Sequence, residues 1–317
     1  MNRKNTIFLQ ALLVAVLAVP FAGCEEDVFE YNTAKLYAVD PALISHREVA
    51  VWKTSVPSPA FLAALPDGRV AVAGGKQGVV LATNGVVLAR FAWQDAAAAT
   101  AIGVAPDGRI FVGAKDRVVV CSSTGGAPMT VWNSLSASAN ITGLAADSNQ
   151  LWLCDANERL VWRFDFDGRL LGQLPTPDAP REQAFVVPSP TFPVATRNDG
   201  FFWVANPGRL QLDHRAASDG HIVSSWSKSG MKTPGLSGCC NPAYLALLPD
   251  ASLVTSEKHI ARVKIYGADG TFRSVVAPPS VLPGEEGRPV AVDAVGRVLV
   301  LDGAKIHVFE AKQLDPK

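Results

Sequence analysis

Pro66-Asp67-Gly68-Arg69-Val70-Ala71-Val72-Ala73-Gly74, Pro106-Asp107-Gly108-Arg109-Ile110-Phe111-Val112-Gly113-Ala114 and Asp147-Ser148-Asn149-Gln150-Leu151-Trp152-Leu153-Cys154-Asp155 are one phrase written three times. Each puts a tight turn before a short apolar run, and Asp-Gly between apolar runs is the strongest local signal for a hairpin. Further copies start at Asn198, Pro249 and Asp293, making six. Around the quoted phrase, each copy has an apolar strand before the turn, a short break and a third strand after it. A second turn, such as Asp167-Gly168 or Asp269-Gly270, then leads into a fourth strand. A repeat of about 40 to 50 residues folding as a four-stranded antiparallel meander has the size of a propeller blade. The expected fold is all-β, a six-bladed β-propeller of four-stranded antiparallel blades.

The sixth copy reaches the C-terminus without a fourth strand. Arg47-Glu48-Val49-Ala50-Val51-Trp52 ends in tryptophan, as other outer strands do at Trp93, Trp132 and Trp226. Residues 44–54 are therefore expected to complete the last blade, closing the ring with no exposed inner edge.

The N-terminus reads differently. Arg3 and Lys4 precede an apolar run from Ile7 to Val19, too short for the roughly 20 residues of a bilayer crossing, and then Phe21-Ala22-Gly23-Cys24. Residues 1–23 are expected to be a signal peptide. Phe21 to Cys24 resembles the bacterial lipoprotein box, with Phe21 in place of the usual aliphatic residue. That resemblance implies acylation of Cys24, a lipidated tether over residues 24–40 and the propeller over 41–317. It places the chain in the bacterial cell envelope, held by its lipid alone, on the outer membrane facing the periplasm or the cell surface.

The whole chain carries 29 basic and 29 acidic residues. Without Arg3 and Lys4 the balance is 27 to 29, a net charge of −2, and no basic patch offers itself to nucleic acid. The expected partner is an unidentified protein or small ligand, and the expected state is a monomer.

The third copy carries a family resemblance. Leu151-Trp152-Leu153-Cys154-Asp155-Ala156-Asn157-Glu158-Arg159-Leu160, followed by Phe164-Asp165-Phe166-Asp167-Gly168, resembles the NHL repeat, with its aspartate, asparagine, arginine and Asp-Gly turn in order. Elsewhere Asn206 or Glu257 stands where Asp155 does, and the arginine recurs as Arg117, Arg209 and Arg262. The resemblance spans roughly residues 55–311 and implies a six-bladed propeller without implying an activity.

Antiparallel order sorts the loops. Loops joining strand two to strand three share a face with the linkers between blades, and the Asp-Gly hairpins lie opposite. The long segments 174–193 and 227–242 are both linkers, so both belong to the first face, at the mouth of the central channel. The same face receives the candidate binding residues Asp155, Asn206, Glu257, Lys258 and His259, with Cys239, Cys240 and Asn241 in the second long linker. Short polar side chains in tight loops also cap local backbone groups, which is the competing expectation for Asp155. His214 and His307 fall in third strands.

Gly238-Cys239-Cys240-Asn241-Pro242 is the least repetitive stretch. Adjacent Cα atoms lie about 3.8 Å apart, below the usual disulfide range of about 4.4 to 6.8 Å, so a bond between the two cysteines closes a strained ring. Three readings stand: a rigid turn; a ligand platform; or thiols that pair with Cys154 or bind a metal. The platform is similar, in this feature alone, to the adjacent-cysteine disulfide of quinoprotein alcohol dehydrogenases.

For function, the leading expectation is a non-catalytic binding module working through the loop face. A first alternative resembles the gluconolactonase and senescence-marker-protein group, metal-dependent hydrolases of the same blade number. That likeness would ask Glu257, Asp155 and Asn206 to hold a divalent metal such as calcium. Val56-Pro57-Ser58-Pro59-Ala60 lacks that group's glutamate, and Asn241-Pro242 replaces its Asn-Gly motif. A second alternative is a redox accessory protein using Cys239 and Cys240. No nucleophile elbow, HExxH motif, P-loop or Rossmann fingerprint occurs.

Overall fold

The computed structural model describes residues 37–313. The expected signal peptide, Cys24 and the expected tether as far as residue 36 lie outside the described residues. Strand β1 (His46–Lys53) comes first in sequence and last in the ring. Blade one holds β2 (Phe61–Ala64), β3 (Val70–Gly74), β4 (Gln77–Leu81) and β5 (Val87–Ala92), and blade two holds β6 (Ala101–Val104), β7 (Ile110–Ala114), β8 (Arg117–Cys121) and β9 (Thr130–Val131). Blade three holds β10 (Ile141–Ala146), β11 (Gln150–Asp155), β12 (Leu160–Asp165) and β13 (Leu170–Leu174), and blade four β14 (Val194–Thr196), β15 (Phe201–Asn206), β16 (Gln211–Ala216) and β17 (Ile222–Ser227). Blade five holds β18 (Tyr244–Leu247), β19 (Leu253–Ser256), β20 (Val263–Tyr266) and β21 (Phe272–Ala277). Blade six takes β22 (Val290–Val292), β23 (Val298–Asp302) and β24 (Lys305–Ala311) from the C-terminus, and β1 pairs antiparallel along β24 from His46↔Ala311 to Lys53↔Lys305. The chain is an all-β six-bladed propeller closed by strand exchange between its ends, as the incomplete sixth copy requires.

The core is divided among the blade interfaces. Each neighbouring pair of blades shares one apolar cluster, such as Trp152, Cys154, Phe192 and Phe202 between blades three and four, or Leu62, Val72, Leu299 and Ile306 between blades six and one. Second strands are buried on both faces of the blade, so Val70–Gly74 reads as a continuous apolar run, whereas an outer strand such as Val87–Ala92 alternates. Tryptophans add a second contact between blades. Trp52, Trp132 and Trp226 lie over the last-turn glycine of the following blade, where a Cβ on Gly85, Gly168 or Gly270 would come within 2.4, 3.0 or 2.7 Å of the ring. On the hairpin face, Arg69 pairs with Asp67 and reaches across to the carbonyl of Ser123 in blade two at 3.2 Å.

The six innermost strands surround a central channel enclosing about 220 Å³. Its lining comes from Phe61, Val104, Leu144, Leu245 and their neighbours, and the side chains with hydrogen-bonding capacity on it are Thr142, Thr196 and Tyr244. Small and branched apolar residues on these strands let six blades approach a common axis.

Candidate functional site

The residues at 155, 206 and 257 stand at the same place in three successive repeats, where the second strand meets its loop. Each turns out to hold the linker that enters its own blade. Asp155 is fully buried and accepts hydrogen bonds from the backbone N–H groups of Asn140 (2.9 Å), Asn157 (3.1 Å) and Glu158 (3.1 Å) and from Trp162 Nε1 (3.2 Å). Asn206, also buried, accepts from Val186 N at 2.8 Å and donates to the Ala184 carbonyl at 3.3 Å. Glu257 accepts from Ser237 N at 3.2 Å. In blade six Asp302 does related work, pairing at 2.6 Å with Arg288 of the incoming linker. The small residues Gly74 and Ala114 hold this place in blades one and two. There the linkers, 54–60 and 93–100, are short, and a Cβ on Gly74 would sit 2.3 Å from the Ser58 carbonyl oxygen.

The linker into blade five receives the most elaborate support. Glu257, Arg262 and Lys264 are buried together, with Arg262 Nε 2.9 Å and Lys264 Nζ 2.8 Å from the Glu257 carboxylate. Lys264 also donates to the carbonyls of Thr233 (3.0 Å) and Gly235 (2.6 Å), while Tyr266 Oη donates to that of Pro234 at 3.2 Å. Burial pulls the Lys264 ammonium down to about 8 against the opposing pull of Glu257, and burial pushes the Tyr266 phenol well up. One carboxylate thus faces two buried cations; linker carbonyls supply further acceptors to Lys264, while the Arg262 Nη1 and Nη2 atoms are buried without a partner.

This support isolates a short arch. On one side Ser237 is tied to Glu257. On the other, Asn241 donates to the carbonyls of Ser237 (2.5 Å) and Lys258 (3.1 Å) and accepts from Lys258 N (2.9 Å), copying a backbone pairing with its side chain. Between these anchors stand Gly238, Cys239 and Cys240. Gly238 has φ +71°, a conformation that favours glycine, and a Cβ there would meet the exposed His259 ring at 3.0 Å. Cys239 is exposed, Cys240 is buried, and their sulfurs are 3.1 Å apart. Burial raises the Cys240 thiol, and the nearby Lys258 charge partly offsets this. His259 is exposed on the same loop, its N–H bonded to the Glu285 carbonyl of the next linker at 2.6 Å.

The structure therefore brings Cys239, Cys240, Asn241, Lys258 and His259 together, and leaves Asp155 and Asn206 in their own blades. Glu257 adjoins the arch from beneath and is consumed by its two cations. Among the described residues no group of three or more His, Cys, Asp or Glu side chains is close enough to hold a metal ion. Calcium would therefore have to draw Asp155, Asn206 and Glu257 out of separate, satisfied positions. Cys154 is fully buried in the cluster between blades three and four, its thiol pushed far up by burial, and Cys121 is buried with its thiol raised to about 12. Both stand as free thiols, and neither forms part of the arch. His214 is stacked on Trp203 at 4.6 Å, and His307 contacts Glu48 at 2.9 Å.

Sequence reasoning missed Arg262 and Lys264 as a pair supporting Glu257. The available signal was Lys264 itself, a charge inside the otherwise apolar third strand Val263-Lys264-Ile265-Tyr266.

Four-stranded blades, six in number, closed by a terminal strand and presenting their long linkers on one face, define the class: a six-bladed β-propeller. No family model and no curated protein sequence matches the chain. Solved propellers do. The chain is similar to the WD40 β-propeller domain of Doa1, with 11% identity, 85% of this chain and 98% of that chain covered and a TM-score of 0.57. It is also similar to a structure of streptogramin B lyase, with 13% identity, coverage of 86% and 100% and a TM-score of 0.59. At these identities the likeness is one of fold.

Proposed function

We propose that this chain is an extracytoplasmic binding module of NHL-like type, tethered to the bacterial outer membrane through acylated Cys24, whose loop face holds a protein partner or a small ligand. The observation that carries the reading is the arch at 238–240. A buried ionic cluster and a fully satisfied asparagine are committed to holding three residues in place, and the groups left at the surface beside them are Cys239, Lys258 and His259. A rigid, pre-ordered surface loses little conformational entropy on binding. The channel argues the same way, since the side chains on it are mostly aliphatic, with Thr142, Thr196 and Tyr244 as the ones that carry hydrogen-bonding groups. A propeller can also be a lyase, as one of the similar structures is, so the fold leaves the choice to the site.

The test has two arms. Metabolic labelling with a fatty acid should mark the wild-type protein in the membrane fraction, and Cys24→Ala should lose the label and the membrane association together. Capture from solubilised native membranes should be lost with Lys258→Glu/His259→Glu on the loop face and kept with Val295→Glu on the opposite, hairpin face, where Val295 is 78% exposed. Equal loss from both faces would remove the assignment to the loop face.

A further inference from the structure

Adjacent residues in an extended chain point to opposite sides. Cys239 and Cys240 do not: their sulfurs converge to 3.1 Å, one exposed and one buried, on an arch fixed at both ends by Ser237 and Asn241. A backbone held in this way presents two thiols as one bidentate group.

The distance between the sulfurs fits some of the soft centres that thiols favour better than others. With a sulfur-to-centre bond of about 2.3 Å, sulfurs 3.1 Å apart subtend an angle of about 85°. A linear two-coordinate ion would need its sulfurs about 4.6 Å apart, and a tetrahedral ion about 3.8 Å. A tetrahedral ion would also need further protein ligands, and no third His, Cys, Asp or Glu joins the pair among the described residues. The bite near 90° suits a pyramidal centre, which carries a lone pair and three bonds.

From this geometry we infer that Cys239 and Cys240 form a chelating dithiol site for a trivalent thiophilic metalloid of the arsenic(III) type. With arsenous acid, two As–O and two S–H bonds break, two As–S bonds form, and each thiol proton leaves with a hydroxyl group as water. Arsenic stays trivalent throughout, so no oxidant or reductant is needed. The third position on arsenic faces solvent beside Cys239, where it can keep a hydroxyl group or carry an organic substituent. The inference deepens the loop-face reading and rests on it for the place of the arch in a binding surface.

The experiment uses the full chain, reduced with a phosphine and desalted, then titrated with phenylarsine oxide and with arsenite and read by intact mass. The expected result is one adduct per chain that survives excess monothiol and is released by 2,3-dimercaptopropanol. Cys239→Ser and Cys240→Ser should each weaken binding by about 100-fold or more, because each removes the effective concentration that chelation supplies. Cys24→Ser should leave it unchanged, and equimolar Zn²⁺ should not compete. The inference is overturned if either serine variant binds as the wild type does, if monothiol strips the adduct, or if Zn²⁺ displaces it stoichiometrically. Loss of the adduct with capture by the loop face intact removes the dithiol site alone. An adduct that persists when Lys258→Glu/His259→Glu leaves capture untouched removes the loop-face reading alone.

Discussion

Replacing Glu257 by glutamine tests the energetic centre of the loop face. The change keeps size and shape, and the amide oxygen can still accept from Ser237 N. It removes the one negative charge facing Arg262 and Lys264, each of which is about 1% exposed or less. Exposed pairs such as Arg273–Asp250, with side chains 49% and 59% accessible, contribute about 0 to 1 kcal/mol. Breaking a buried pair costs about 3 to 5 kcal/mol, because the remaining charge stays buried without compensation. Two stranded cations place Glu257→Gln at the upper part of that range. For a domain of this size, at about 2 to 4 °C per kcal/mol, a loss of about 4 to 5 kcal/mol should lower the melting temperature by roughly 8 to 20 °C. Urea unfolding should show a lower midpoint at unchanged slope, the sign of altered stability without altered compactness. Adding Lys264→Met removes one stranded cation, so the double variant should be more stable than Glu257→Gln alone, with a coupling of about 0.5 to 3 kcal/mol. In the folded Glu257→Gln variant, alkylation of Cys240 should also quicken as the ionic cluster beneath the linker loosens. A loss below about 1 kcal/mol, equal to that of Asp250→Asn, would falsify the claim that this cluster holds the linker.

Further expectations follow from the same contacts. Lys264 has a folded value near 8, below its ordinary 10.5, so between these pH values the unfolded chain holds a proton that the folded chain has released. The free energy of unfolding should therefore gain up to about 1.4 kcal/mol per pH unit from this group as pH rises through that window, and Lys264→Met should flatten the slope in pH-dependent urea titrations. Asp155→Ala should cost about 1 to 3 kcal/mol for each buried donor left without an acceptor, and Asp155→Asn less, since Oδ1 remains; chemical denaturation compares the two. Gly85→Ala combines φ +84° with a Cβ 2.4 Å from the Trp52 ring and should lower stability by about 1 to 3 kcal/mol, while an alanine at Gly75, with nothing within 4 Å, should bear only the backbone strain. Timed iodoacetamide labelling should modify Cys239 first and leave Cys121 and Cys154 unmodified until unfolding, because the Cys121 thiol, raised to about 12, and the Cys154 thiol, pushed far up by burial, hold almost no thiolate at pH 8.

The amino-acid sequence by itself determined the propeller. Its signals are local: a turn such as Asp67-Gly68 specifies its own hairpin, each blade is a run of neighbouring hairpins, and six copies of one phrase need no long-range information to be counted. Even ring closure was legible, because a sixth copy lacking its outer strand leaves one edge that the strand ending in Trp52 can fill. The sorting of loops onto faces, and the place of the Cys239-Cys240 stretch among them, followed from antiparallel order alone. What the tertiary structure decided was the fate of each polar side chain on that face. Asp155, Asn206 and Glu257 share one position in the repeat, and in sequence they read as candidate ligands, with a local cap as the competing reading of Asp155. Whether such a residue faces solvent or is buried as a staple depends on how its own linker folds back over it, and those linkers are the non-repeating part of the chain. The pairing of Glu257 with Lys264, and the convergence of two adjacent sulfurs that an extended chain would hold apart, likewise arise from packing between segments whose contacts no local pattern encodes.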